Sequence, residues 1–176
     1  MTIQGGCCEP HLNYYIPEGD THHRAVCSKC NTIYYDNPKI ITGVIPIYKD
    51  KILLCKRAIE PRKNLWTVPS GFMERNETLK QAALREAYEE AGISPKIESL
   101  HTIYDLPHIG QVYFLFLAYC ETSAHTPGDE TLESVWVKYE DIMWDDLAFS
   151  SVKFGLKRLH NLSIPHYGRY WPEEHG

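Results

Sequence analysis

Apolar and polar positions along this chain fall into several rhythms, and those rhythms divide it into elements. From Lys39 onward, IITGVIPIY and KILLCKR are β-branched or aliphatic runs separated by a Lys-Asp pair, the pattern of a hairpin. LWTVPSG, residues 65–71, adds a short extended stretch that ends in a tight turn. Thr78 followed three positions later by Gln81 is a capping box, and Gly92 supplies a stop, so a helix is predicted over residues 79–91. At about 100° per residue, Leu79, Ala83, Leu84, Ala87, Tyr88 and Ala91 form one apolar arc suited to packing on a sheet. Two more strands are predicted in PKIESLHTIYDL and QVYFLFLAYCET, and another in VWVKY. DIMWDDL reads as a turn, SSVKFGLKRLHNL as an amphipathic helix, and the proline-bearing tail IPHYGRYWPEEHG as irregular. Periodicity alone predicts an α/β fold.

The first forty residues follow a different rule. They carry Cys7, Cys8, His11, His22, His23, Cys27 and Cys30 among polar and turn residues, with little apolar periodicity. Cys27-x2-Cys30 has zinc-knuckle spacing, and Cys8-x2-His11 offers the other half of a four-ligand site. A segment this small cannot build a core of its own, so a Zn²⁺ ion would hold it together. The predicted organisation is a small metal-knuckle segment over residues 1–38 and a larger α/β domain over 39–176.

On the predicted helix, Arg85, Glu86, Glu89 and Glu90 lie beside the apolar arc, so three carboxylates project from one face. Like charges one turn apart repel and destabilise a free helix. They become favourable around a hard divalent cation, because Mg²⁺ takes oxygen ligands from a few carboxylates and from substrate phosphates. A solvated acidic face is the plain alternative.

With 43% hydrophobic and 23% charged residues, composition is that of a soluble globular protein. The longest apolar run, VYFLFLAYC, is far too short for a membrane span and reads as a buried strand. The opening MTIQGGCC resembles no secretory signal, which points to a cytoplasmic protein whose six cysteines serve as metal ligands or buried thiols. Net charge is -5, which argues against nucleic acid as a partner and leaves anionic substrates to be held by metal or arginine.

Gly71, five residues, Glu77, seven residues, then REAYEEAGI over 85–93 resembles the Nudix box, G-x5-E-x7-R-E-U-x-E-E-x-G-U. Each fixed position is filled, with Ala87 a small residue at one bulky position. The residues IPEGD, CSKC, IYY and NPK upstream look like the zinc ribbon that precedes some Nudix domains, although its first C-x2-C is degenerate, with Gly5 where a cysteine is expected. Either Cys7, His11 or one of His22 and His23 then completes the site, or the zinc is lost. The resemblance implies the Nudix fold, a mixed sheet between helices, and hydrolysis of a nucleoside diphosphate linked to another group. It implies Mg²⁺ or Mn²⁺ held by Glu86, Glu89, Glu90 and the backbone carbonyl of Ser70. Arg85 and Glu77 are expected to orient that acidic network. Glu133 is the candidate general base, with Glu130 as the second choice.

Substrate contacts are expected from Arg57, Trp66, Phe72, His108, Gln111 and Phe149, although each is equally an ordinary surface, core or sheet-edge residue. The segments LPHIGQVY, PGDETLE and LAFSS resemble ribbon-bearing ADP-ribose pyrophosphatases and plant-type FAD pyrophosphatases. FAD, cleaved to FMN and AMP, is slightly favoured over ADP-ribose, cleaved to AMP and ribose 5-phosphate. NADH pyrophosphatases carry SQPWPFP after the box, and DLPHIGQVYF stands here instead. A broad house-cleaning diphosphatase and a non-catalytic Nudix sensor or regulator are the alternatives. Dimers are common in the family, so a homodimer is an open expectation.

Overall fold

The computed structural model describes residues 11–159 together with the backbone of Tyr170 and Trp171. The chain divides between Pro38 and Lys39 into two compact units. In the first, β1 (Leu12–Tyr15), β2 (Arg24–Cys27) and β3 (Ile33–Tyr34) form an antiparallel sheet in that order. Asp20 accepts from Arg24 Nε at 2.9 Å and from the backbone N–H groups of Thr21 and His22, which ties the loop between β1 and β2. Asn31 adopts a left-handed φ of 56° and donates its N–H to the Cys27 carbonyl at 2.8 Å, closing a tight turn around Cys27 and Cys30. Val26 and Cys27 are buried, but all of β1 is exposed, so the core of this unit is small.

The second unit runs β4 (Lys39–Tyr48), β5 (Lys51–Arg57), β6 (Trp66–Thr67), β7 (Ser70–Phe72), α1 (Leu79–Ala91), β8 (Lys96–Leu106), β9 (Gln111–Tyr119), β10 (Thr131–Lys138), α2 (Ser150–Leu159) and β11 (Tyr170–Trp171). The strand order is β10-β5-β4-β9-β8-β11, with β6 beside β5 and β7 beside β4. β4 pairs β9 in parallel and the hairpins are antiparallel, so the sheet is mixed. The central strands are buried on both faces, and alternation sends successive residues to opposite cores. Val44, Leu53, Cys55 and Phe116 meet Ala83, Ala87 and Ala91 of α1. Ile45, Leu54, Leu115 and Leu117 meet Val152 and Leu156 of α2.

The hairpin opens at one end. β4 and β5 pair only at Ile47–Ile52 and Tyr48–Lys51. Beyond that, β4 takes β7 as its neighbour at Ile41–Phe72, Thr42–Gly71 and Gly43–Ser70, while β5 takes β6. The two short strands wedge the sheet apart and create a cleft at its mouth.

Three expectations are corrected here. Tyr88 is 67% exposed, while Ala82 and Glu90 are buried. The buried stripe of α1 is rotated towards its acidic side, because alanines let that side approach the sheet closely. The tail is not wholly irregular, since Tyr170 and Trp171 pair in parallel with Ile103 and Tyr104 at the sheet edge. Trp66 is only 9% exposed and packs in the α2-side core, because β6 pairs with β5 and turns the indole inward. Among the described residues, no helix is long and apolar enough to cross a membrane.

Candidate active site

The site begins with helix α1. Its capping box is present in both directions, and Gly92 closes it at a left-handed φ of 62° with its N–H on the Tyr88 carbonyl at 2.9 Å. Thr42 Oγ1 donates to the Leu79 carbonyl at 3.0 Å and ties the first turn to β4. On the face this fixes, Arg85 is the hub. Its Nε and Nη2 donate to Glu77 at 3.1 and 2.9 Å, and Nη1 donates to Glu86 at 2.6 Å and to Glu89 at 2.9 Å. Nη2 also donates to the Phe72 carbonyl at 3.0 Å, joining the helix to β7. A Cβ on Gly71 would occupy the place of the Glu86 carboxylate and push it aside.

Burial sets the charge balance of this face. Arg85 holds Glu77 below the usual carboxylate range. Burial pushes Glu86 up, with Arg85 opposing. Burial pushes Glu90 up to about 8, although the Ser70 N–H donates to its Oε2 at 2.8 Å. The site therefore gathers more desolvated carboxylates than Arg85 alone can hold ionised.

The loop before β10 brings further carboxylates. Thr126 and Gly128 donate their N–H groups to the Ala91 and Glu90 carbonyls at 2.9 and 3.0 Å, occupying acceptors at the end of α1. A Cβ on Gly128 would overlap the Glu89 carbonyl, so only glycine lets this loop come so close. Asp129 and Glu130 follow and line the cleft. Glu133 does not. It stands opposite Lys56 on β5, with Lys56 Nζ at 4.0 Å, and its side chain is exposed. In that register it shares a face with Val135 and Val137, which pack towards the α2-side core, away from the carboxylates of α1. Of the two base candidates, Glu130 lines the cleft and Glu133 does not.

The cleft encloses about 690 Å³. Its lining includes the acidic group Ser70, Gly71, Arg85, Glu86, Glu89 and Glu90. It also includes an apolar group, Ile41, Leu106 and Tyr113 packed on one another, with Ile109, Phe72, Gln111 and Phe149. Arg57 reaches the lining from the end of β5. Its Nε donates to the Pro61 carbonyl at 2.9 Å, and its guanidinium lies 5.0 Å from the Phe149 ring centroid, a cation–π contact. Four expected substrate residues, Arg57, Phe72, Gln111 and Phe149, thus share one cleft. Trp66 and His108 do not line it: Trp66 is in the core, and His108 is exposed on the turn Pro107–Ile109, where Ile109 faces the cleft instead. Ile41, Leu106 and Tyr113 were missed because each reads as an ordinary strand residue. The acidic, glycine-bearing TPGDE was the available sign of Asp129.

The donors fit a hard divalent cation. They are all carboxylate oxygens or carbonyls, and the burial that raises Glu86 and Glu90 is the burden a dication would relieve. A single nitrogen, Arg85 Nη1, already gathers Glu86 and Glu89 around positive charge. With Arg85 drawing those two aside and Ser70 holding Glu90, no three such side chains converge on one point among the described residues. In the ribbon, Cys27 and Cys30 share their turn and His11 is exposed. Cys7 and Cys8 lie outside the described residues.

The NUDIX domain family model matches residues 38–156, and the Nudix N-terminal family model, a zinc ribbon, matches residues 6–36. A crystal structure of a NUDIX hydrolase from Nitrosomonas europaea aligns at a TM-score of 0.86 and 43% identity, covering 94% of this chain and 97% of that one. The ADP-ribose pyrophosphatase of Methanocaldococcus jannaschii is 40% identical over 73 residues, 42% of this chain and 43% of that protein. The NAD-capped RNA hydrolase NudC of Salmonella heidelberg is 33% identical over 124 residues, 69% of this chain and 48% of that protein. This chain therefore spans less than half the length of those two relatives. The name of the second describes a capped RNA as substrate, so net charge alone does not separate small nucleotides from capped RNA ends.

Proposed function

Because the chain belongs to the Nudix family, we propose that it is a divalent-metal-dependent pyrophosphatase acting on dinucleotide-type diphosphates, ADP-ribose or FAD. The observation that carries this reading is the lining of the cleft, which combines an Arg85-centred carboxylate cluster with an apolar shelf. A diphosphate at the carboxylate cluster leaves a flat, uncharged group for the shelf. Glu86, Glu89, Glu90 and the Ser70 carbonyl would hold Mg²⁺ or Mn²⁺. When bound, the metal neutralises charge on the diphosphate oxygens. Glu77 and Arg85 keep the carboxylates in place. Glu130 takes a proton from the attacking water, whose oxygen bonds to phosphorus as the bridging P–O bond breaks. Arg57 donates to a phosphate oxygen, with Phe149 behind its guanidinium. The products are AMP with ribose 5-phosphate, or AMP with FMN.

A second reading, an NAD-containing substrate, is favoured by the relative named for NAD-capped RNA. We test both by measuring kcat/KM with Mg²⁺ for ADP-ribose, FAD, NADH, an NAD-capped RNA and dGTP. ADP-ribose or FAD should lead. A tenfold preference for dGTP, about 1.4 kcal/mol of transition-state stabilisation, overturns the substrate assignment. In the ribbon, Cys27 and Cys30 with two of Cys7, Cys8 and His11 would hold one structural zinc. Elemental analysis of the same preparation, purified without added zinc, should find one per chain, and a value well below that removes the zinc.

A further inference from the structure

Arg85 lines the cleft but has nothing left to offer a substrate. A guanidinium carries five N–H donors, and this one makes five hydrogen bonds: two to Glu77 and one each to Glu86, Glu89 and the Phe72 carbonyl. Arg57 is the other cation of the lining. Its Nε is taken by the Pro61 carbonyl, and no hydrogen bond among the described residues engages its Nη nitrogens. The cleft thus provides one arginine for anionic substrate groups.

Carboxylates far outnumber that cation. Glu86, Glu89 and Glu90 would be matched by divalent cations, and Asp129 and Glu130 stand beside them. Glu60 and Glu74 are different. Glu60 sits on the loop that follows β5 and Glu74 just past β7, so two different segments bring them to the same cleft. Both are exposed, and neither forms an ion pair among the described residues. The shelf of Ile41, Leu106, Ile109 and Tyr113 contributes no charge. Lys39 holds its ammonium 5.7 Å from the Phe72 ring centroid but does not line the cavity.

We propose that the cleft discriminates against substrates carrying any phosphate beyond the diphosphate that is cleaved, with Glu60 and Glu74 as the specificity-determining residues. This rests on the pyrophosphatase reading above. The diphosphate meets the metal and Arg57. A further phosphate, such as one on a ribose hydroxyl, then faces walls that offer carboxylates and apolar side chains. Specificity of this kind comes from repulsion of the wrong ligand as much as from attraction to the right one.

The test compares ADP-ribose with ADP-ribose 2′-phosphate and NADH with NADPH, at fixed free Mg²⁺ and two ionic strengths. The phosphorylated member of each pair should lose at least about tenfold in kcat/KM, chiefly through KM, and the ratio should shrink as salt screens the repulsion. In the double variant E60Q/E74Q the ratio should fall towards one at low salt. Because both side chains are exposed, that variant keeps its fold, which thermal unfolding checks. Equal rates for both members of each pair at low salt overturn the discrimination alone. A ratio unmoved in the double variant removes Glu60 and Glu74 as its source. Hydrolysis of neither member of either pair overturns the pyrophosphatase reading, and this inference with it.

Discussion

The two faces of the main sheet are built from different materials. On the α2 side, Ile45, Leu54, Leu115, Leu117 and Leu156 fill the space with large aliphatic groups, and Trp66 closes one end. On the α1 side the helix contributes alanines, Ala83, Ala87 and Ala91, against Val44, Leu53 and Phe116 of the sheet. Small residues bring the α1 backbone close to the strands. That approach is what lets the Ser70 N–H reach Glu90 at 2.8 Å and Arg85 reach the Phe72 carbonyl at 3.0 Å. One face holds the fold together. The other gives up some apolar burial to set carboxylates at a cleft wall.

Substitutions on opposite faces should therefore separate activity from stability. The largest effect is expected for Glu86→Gln, which should lower kcat/KM about a thousandfold, roughly 4 kcal/mol. Its thermal stability without metal should hold or rise, since a half-buried negative charge is removed. Leu156→Ala should do the reverse, losing about 2–5 kcal/mol in stability while kcat of the folded protein stays within about twofold. Steady-state kinetics and denaturant unfolding on both variants check this. A Leu156→Ala protein that unfolds normally but has lost its activity would show that the faces are not separate. Ala87→Leu lies between the two. Overpacking of this kind costs about 1–3 kcal/mol, and by lifting α1 from the sheet it should weaken Mg²⁺ binding as well, which titration calorimetry reads.

The same division explains what the sequence made legible. Local rules act on consecutive residues, so the capping box at Thr78 and Gln81, the left-handed Gly92 and the Lys49–Asp50 turn could all be read directly. The spacing from Gly71 to Ile93 located the carboxylates. What escaped depended on partners distant in the chain. Glu133 looked like a base because it follows the acidic loop. Pairing with Lys56 turns it away from the carboxylates, and only the register decides that. Trp66 looked like a stacking residue because aromatic groups serve that purpose, but β6 folds it into the core. The apolar arc was placed slightly off because Tyr88 is bulkier and more apolar than Ala82. Close packing against the sheet favours the small residue, a preference that hydrophobicity alone does not express.

Each face also buries a group that titrates in an accessible range, Glu90 on one and His101 on the other, and the two should respond to pH with opposite sign. On the α1 side, Glu90 is raised from an ordinary 4.5 to about 8 by burial. The folded state then holds a proton there that the unfolded chain has released, so stability is greatest at low pH and falls as pH rises through about 8. Glu86 is shifted in the same direction. On the α2 side, His101 on β8 donates Nε2–H to the Gly155 carbonyl at 2.9 Å, and burial lowers it from an ordinary 6.5. There the unfolded chain binds the extra proton, so stability is lost as pH falls below 6.5. Below about 6.5 the two opposing slopes largely cancel, so the metal-free protein should be most stable on the acid side of neutrality and lose about 1 kcal/mol between pH 7 and 8 from Glu90 alone. Mg²⁺ removes the alkaline limb, because a cation favours the ionised carboxylate that burial opposes, and it leaves the acidic limb in place. Thermal unfolding from pH 5 to 8 in EDTA and in Mg²⁺ measures both limbs. Glu90→Gln should flatten the alkaline limb in EDTA, and an alkaline limb unchanged in that variant would show that the charge cost of the α1 face lies elsewhere.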